Sequence, residues 1–192
     1  MRYRYFMLIT ALAITPTQAA VYLTPFVGYT AGGKVEDSQR QSHAIQGSES
    51  YALALEVPYE TGRLGLFYAT QRSDIDTLSD TITMHYLHFQ SSIYYPADDK
   101  LSSYLGLGLG ASYADADWVD DKYGFSASIF AGLDYRLSPN IALNTQFRWL
   151  GTVVDNDTST VCTFGDSDRC VIRFQSDWMN QFSANLGLTI HF

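Results

Sequence analysis

The chain has 192 residues, 46% of them hydrophobic and 17% charged, with a formal net charge of −8 at pH 7. That length suits one domain with a full core, and the acidic balance excludes the electrostatic footprint of a nucleic-acid binder. After residue 19 no stretch supplies the roughly 20 continuous apolar residues of a membrane-spanning helix, so any crossing of a bilayer must be made by strands.

Residues 1–19 read as a secretory signal peptide. Arg2 and Arg4 give a basic start, Phe6 to Ile14 an apolar core and Thr17-Gln18-Ala19 a small-residue exit, with cleavage expected after Ala19. Loss of the two arginines takes the formal charge from −8 to −10. The remainder, 20–192, contains no linker or low-complexity run and reads as one domain.

Along that remainder the hydrophobic period is two. Eight segments carry it, approximately 21–32, 50–59, 63–72, 82–95, 102–114, 123–137, 141–151 and 172–192. In the fifth, Leu105, Leu107, Leu109, Ala111 and Tyr113 alternate with Tyr104, Gly106, Gly108, Gly110 and Ser112. In the sixth, Tyr123, Phe125, Ala127, Ile129, Ala131, Leu133 and Tyr135 alternate with smaller or polar residues. Each segment meets the roughly 9–11 residues of a tilted transmembrane strand. Pro25 removes a ladder donor from the first and marks a bulge or a late start there.

The connections alternate in length. Residues 60–62, 96–101 and 138–140 are tight turns, whereas 33–49, 73–81, 115–122 and 152–171 are longer. Short periplasmic turns and longer external loops make this pattern in outer-membrane barrels. On the parity set by the leucines, Tyr59, Tyr95, Tyr135 and Phe192 fall at the periplasmic ends of the outward face, and Tyr29, Tyr51, Tyr68, Tyr113, Tyr123 and Trp149 near the external ends. That is the disposition of interfacial aromatic belts. The expected fold is therefore all-β, an eight-stranded antiparallel up-and-down transmembrane β-barrel, with an integral multi-pass location in a Gram-negative outer membrane.

Two segments carry a resemblance. Phe182-Ser183-Ala184-Asn185-Leu186-Gly187-Leu188-Thr189-Ile190-His191-Phe192 alternates strictly and ends on an aromatic. It resembles the C-terminal signal read by the barrel assembly machinery, with Leu188, Ile190 and Phe192 on the outward parity. Gly132-Leu133-Asp134-Tyr135-Arg136-Leu137-Ser138-Pro139-Asn140-Ile141-Ala142-Leu143 resembles the sixth strand, tight turn and seventh strand of OmpA- and OmpX-type small barrels. The resemblance implies a barrel domain in contact with outer-membrane lipid and lipopolysaccharide. No peptidoglycan-binding domain follows Phe192, so the cell-wall tethering of full-length OmpA-type proteins is not expected.

Candidate chemistry lies inside the barrel and in the loops. Inward positions include Glu56, Arg63, Gln71, His88, Gln90, Tyr104, Asp134, Arg136, Asn144, Gln146, Arg148 and Asn185. Eight strands leave an interior that side chains fill. Glu56, Arg63, Asp134 and Arg136 share the periplasmic half, where two acids and two bases form a charged plug, either as a mutually satisfied core or as a gate. The inward Gly106, Gly108 and Gly110 leave room for water or for an opposing large side chain.

No catalytic residue, cofactor or metal is assigned. His88 and Ser91 lie three apart on a strand and face opposite sides. His85 lies nearer the external rim, within reach of Asp74 or Asp76, and His191 is at the periplasmic end. The loop acids Asp115, Asp117, Asp120, Asp121, Asp155, Asp157, Asp166 and Asp168 read as a solvated acidic surface, since their spacing lacks the ligand order of a calcium loop. Cys162 and Cys170, the only cysteines, stand close together in a polar loop of an exported chain, and a disulfide is expected between them. The function read from these features is a structural, adhesive or surface-interaction role presented by four loops on a largely plugged barrel. A small porin or ligand channel is the alternative, and a lipid A-modifying enzyme stands behind both.

Overall fold

A computed structural model describes residues 20–32, 34–36, 42–44, 46–75, 78–115, 122–153, 160–164, 168–172 and 178–192. The expected signal peptide at 1–19 lies outside the described residues. The strands are β1 Tyr22–Gly32, β2 Lys34–Glu36, β3 Ser42–Ala44, β4 Ser48–Tyr59, β5 Gly62–Ile75, β6 Leu78–Pro96, β7 Leu101–Asp115, β8 Tyr123–Ser138, β9 Ile141–Val153, β10 Thr160–Phe164, β11 Asp168–Ile172 and β12 Trp178–His191.

Eight of them close into an antiparallel barrel in the order β1-β12-β9-β8-β7-β6-β5-β4. Closure leaves no edge, so every strand has a partner on each side, which a bilayer interior demands of any sheet. The closing seam joins the first and last barrel strands, with Tyr22 opposite His191 and Gly32 opposite Gln181. Inside it, the hydroxyls of Thr24 and Thr189 meet at 2.9 Å.

The eight expected segments all become barrel strands, with three differences. The connection expected at 73–81 is mostly strand: β5 runs to Ile75 and β6 begins at Leu78, with a register shift between Asp74 and Ile75. The last strand starts at Trp178 rather than 172, because residues through Ile172 belong to a separate hairpin, β10–β11; a second small hairpin, β2–β3, occupies the first loop. Pro25 makes no bulge. Its neighbours Leu23 and Phe26 stay in one register with Ile190 and Gly187, and the proline pairs with Leu53 on the other side.

Alternation sorts the two faces. Leu105, Leu107 and Leu109 point outward and are 53–60% exposed, whereas Tyr104, Gly106 and Gly108 between them are buried. The contrast is largest within β9, where Phe147 is 71% exposed and the adjacent Arg148 only 2%. Exposed outward tyrosines cluster toward the two ends, whereas Phe89 and Phe147 lie between them. Tyr59, Tyr95, Tyr135 and Phe192 lie beside the turns at 60–61, 97–100 and 139–140, and Tyr29, Tyr51, Tyr68 and Tyr123 lie at the opposite end.

The turns at that first end are tight for stated reasons. Glu60 adopts a left-handed φ of 51° in the two-residue link from β4 to β5. Asp98 accepts the backbone N–H of Lys100 and of Leu101, both at 2.7 Å. These two donors hold the Asp98 carboxyl below its ordinary pKa. Their contribution to folding is thus present above the ordinary carboxylate range and is lost as pH falls through the lowered value.

The room beside the inward glycines is taken by large side chains. A Cβ on Gly106 would collide with the ring of Phe130, and one on Gly108 would lie 2.6 Å from Ser128 Oγ and 3.3 Å from His88 Nδ1. We predict that Gly106→Val lowers stability by about 1–3 kcal/mol, measured by urea unfolding in lipid, while the outward control Leu107→Met costs less than about 1.5 kcal/mol. An unchanged midpoint for Gly106→Val would mean that the lumen beside Phe130 is open.

Candidate functional site

Three of the four expected lumen charges come together. Arg63, at the start of β5, donates from Nη2 to Asp134 Oδ2 on β8 at 2.9 Å, and its Nη1 lies 4.0 Å from Glu56 Oε2 on β4. The guanidinium is sandwiched between the rings of Tyr22 and Tyr94, 3.8 and 4.3 Å from their centroids. Each such contact contributes roughly 0.5–2 kcal/mol when desolvated. Arg136 does not join this group. It is exposed beside the register shift between Arg136 and Ser138 that ends β8, and it has no ion pair among the described residues.

Above Arg63, Glu56 accepts Gln90 Nε2 at 2.7 Å, and the same amide accepts Arg148 Nη2 through Oε1 at 2.6 Å. Only that orientation of the amide serves both neighbours, a donor toward the acid and an acceptor toward the base. Arg148 is the centre of the lumen. Its Nη1 donates to Ser128 Oγ at 2.8 Å and its Nε to Gln146 Oε1 at 3.0 Å. Phe67 and Phe130 cover the faces of the guanidinium at 3.6 and 4.1 Å.

Burying a guanidinium costs several kcal/mol. Here three charge-assisted hydrogen bonds, each worth about 1.5–3 kcal/mol, and two aromatic faces offset that cost without a carboxylate in direct contact. Gln146 then passes its amide N–H to Tyr104, 3.3 Å away, whose hydroxyl donates to Asn144 Oδ1 at 2.7 Å. Arg148 was legible as an inward position, but its place at the hub was not: Gln90, Ser128 and Gln146 approach it from three strands, and β6 does not adjoin β9.

The histidines separate by face. Ser91 is exposed and His88 fully buried, so they do not pair. His88 instead meets two serines on β8, with Nε2 2.6 Å from Ser126 Oγ and Nδ1 3.0 Å from Ser128 Oγ. His85, on the outward face, does not engage Asp74; its Nδ1 is 2.9 Å from the Tyr68 hydroxyl, and the two rings stack. Asp74 accepts Thr81 Oγ1 at 3.3 Å instead. His191 stacks on Tyr22 at 4.6 Å.

Toward the end opposite the tight turns, apolar and polar side chains share the lumen. Phe67, Ala69, Ile82, Met84, Tyr86, Leu150 and Met179 pack there, and Tyr86 donates to Gln181 Oε1 at 2.5 Å. Two cavities of about 10 Å³ lie within the lumen, one among Phe67, Tyr86 and Leu150 and one among Glu56, Gln90 and Tyr104. Each is the size of a single water. Below Arg63 a vestibule of about 380 Å³ opens at the end carrying the tight turns.

Of the remaining expected residues, Leu188 and Phe192 are exposed and Ile190 partly so, at the outward parity of β12 and its end. Cys162 and Cys170 stand directly opposite each other in the β10–β11 register. Asp117, Asp120, Asp121, Asp155, Asp157 and Asp166 lie outside the described residues, as does Asp76. We predict that a double-mutant cycle of Arg63→Met and Asp134→Asn returns a coupling of about 1–3 kcal/mol in unfolding free energy. Additive effects would dissolve the pair as a unit.

No protein-family model matches the chain, and no curated protein matches it in sequence. Solved structures do. Neisserial surface protein A superposes with a TM-score of 0.66 at 13% identity, covering 90% of this chain and 99% of that one. The outer membrane protein AlkL, determined in lipid bilayers, superposes with a TM-score of 0.58 at 15% identity, covering 100% of this chain and 97% of that one. Identities this low speak to architecture alone, and the architecture is that of the small eight-stranded outer-membrane β-barrels.

Proposed function

We propose that this chain is an exported integral protein of a Gram-negative outer membrane, a rigid anchor with a sealed lumen that presents its external connections in a structural, adhesive or surface-interaction role. The observation that carries this reading is the opposition of the two faces of the sheet. Outward, a continuous band of Leu, Ile, Phe and Tyr is exposed on all eight barrel strands, far more apolar surface than a soluble monomer leaves in water. Inward, among the described residues, the Arg148 network and the packed aromatic residues border two water-sized cavities.

Outer-membrane lipid and lipopolysaccharide are the surroundings this band suits, and the alternation ending at Phe192 suits recognition by the barrel assembly machinery. The role is non-enzymatic. A histidine beside a serine is the pairing a nucleophilic site needs, but His88 with Ser126 and Ser128 is enclosed in the lumen, away from any acyl chain. The direct opposition of Cys162 and Cys170 supports a disulfide that braces the connection between β9 and β12.

Liposome swelling tests the sealed lumen. Vesicles carrying the mature protein are expected to swell no faster in small sugars or amino acids than empty ones, and rapid swelling would replace the anchor with a channel. Mass spectra of lipid A from expressing and deleted cells are expected to coincide; a gained or lost acyl chain would make the protein an enzyme. Iodoacetamide is expected to label both cysteines only after reduction, and labelling without reductant would remove the brace.

A further inference from the structure

One titratable group in the lumen stands outside the charge pairs. His88 on β6 is fully buried, and its ring spans two hydroxyls of β8, with Ser126 Oγ 2.6 Å from Nε2 and Ser128 Oγ 3.0 Å from Nδ1. Ser128 Oγ also accepts Arg148 Nη1 at 2.8 Å. A single hydroxyl oxygen therefore joins the imidazole to the guanidinium at the centre of the lumen.

Apart from that guanidinium, the groups packed around the ring carry no charge. From β6 itself the phenol ring of Tyr86 stands edge-on at 6.1 Å, and from β5 the ring of Phe67 lies at 6.5 Å, both between centroids. β7 contributes no side chain: a Cβ on Gly108 would lie 3.3 Å from Nδ1, and one on Gly110 would lie 2.8 Å from His88 Cα. Among the described residues no carboxylate bonds to the ring. Glu56 on β4 is reached only through Arg148 and Gln90, and Asp134 on β8 is held by Arg63. The Tyr104 phenol on β7 joins Arg148 only by way of Gln146.

A neutral imidazole has one N–H and one bare nitrogen, so it can donate to one serine and accept from the other. Ser128 then has a place for its own proton while it accepts Arg148. A ring protonated at both nitrogens is a donor at both. Ser128 would then face two cationic donors on one oxygen, with no anion beside them and only glycine across the gap. Histidine is the side chain that makes this change of charge within reach of ordinary acidification.

We propose that His88 is a proton-sensitive latch on the seal: proton uptake at its bare nitrogen drives Arg148 Nη1 off Ser128 Oγ and opens the lumen at its middle. The inference rests on the sealed-lumen reading above. The proton comes from water and stays on the imidazole, so the change reverses on neutralisation.

The test follows the mature chain in phosphatidylcholine nanodiscs by nitrogen-15 NMR as the pH is lowered from neutral, alongside potassium efflux from phosphatidylcholine vesicles carrying it. Wild type is expected to hold potassium at neutral pH and to release it in acid. Over the same range the two His88 ring nitrogens are expected to reach imidazolium shifts as the Arg148 Nε–H begins to exchange with water. Solvated guanidinium protons exchange more slowly as acid is added, so faster exchange there reports opening rather than the titrant. His88→Asn and His88→Gln, neutral throughout and each able to place an amide near one of the two serines, are expected to stay tight in acid.

The latch is overturned if the folded variants release potassium in acid as wild type does, which would assign the response to Glu56 and Asp134. It is overturned equally if wild type stays tight in acid, or if His88 reaches the imidazolium shifts while the Arg148 Nε–H stays protected. That last comparison needs only wild type, and so decides the matter even where a variant fails to fold. Release already at neutral pH would remove the sealed lumen together with the latch, whereas a chain tight at both pH values would remove the latch alone.

Discussion

A strand in hydrocarbon has no water to satisfy its backbone, so a sheet that crosses a bilayer must close on itself. Everything else in this molecule follows from that closure at a small strand number. The seam between β1 and β12 completes the ladder, and eight strands leave an interior only as wide as the side chains that point into it. The outward face is then free to be uniformly apolar, since lipid makes no specific demand on it. The inward face has the harder task, because each polar group placed there must find its partner among the same few neighbours.

That demand orders the lumen by charge. Arg148 sits at the centre with neutral acceptors on its three nitrogens, Gln90 links it to Glu56, and Arg63 stands between Glu56 and Asp134. Two bases and two acids balance within the barrel, with an amide as the joint between the central base and the nearer acid. The network lies toward the end with the tight turns, and beyond it aromatic and aliphatic side chains share the lumen with buried Gln71, Ser73, Thr152 and Gln181. Small residues are part of the same fit. Gly106 and Gly108 face Phe130 and the His88–Ser128 pair, so the large rings that cover Arg148 exist at the expense of side chains on β7.

The strands were legible because period-two alternation is a local signal. Leu105, Leu107 and Leu109 against Gly106 and Gly108 declare their faces without knowledge of any other strand. Sharing a level in the lumen was legible too, from strand direction, and it placed Glu56, Arg63 and Asp134 together. Lateral reach was not. The offset between strands decides which inward residues meet across the barrel, and sequence spacing does not contain it; His88 therefore found Ser126 and Ser128 rather than anything near it in the chain. Arg136 shows a second limit: it keeps register with Ala142 but sits at the strand end, exposed at the rim, and hydrophobic alternation does not mark where along a strand the filled lumen gives way to that rim.

The central proposal is that the hydrogen-bonded network around Arg148 seals this barrel at its middle. The side-chain Nε–H of Arg148 tests it directly, since it donates to Gln146 at 3.0 Å in the middle of the lumen. In a nitrogen-15 spectrum of the protein in lipid at neutral pH, the account predicts a distinct Arg148 Nε–H resonance, slow to exchange with water and absent from Arg148→Lys. Rapid exchange of that proton with solvent would contradict it, and would describe a hydrated pore instead.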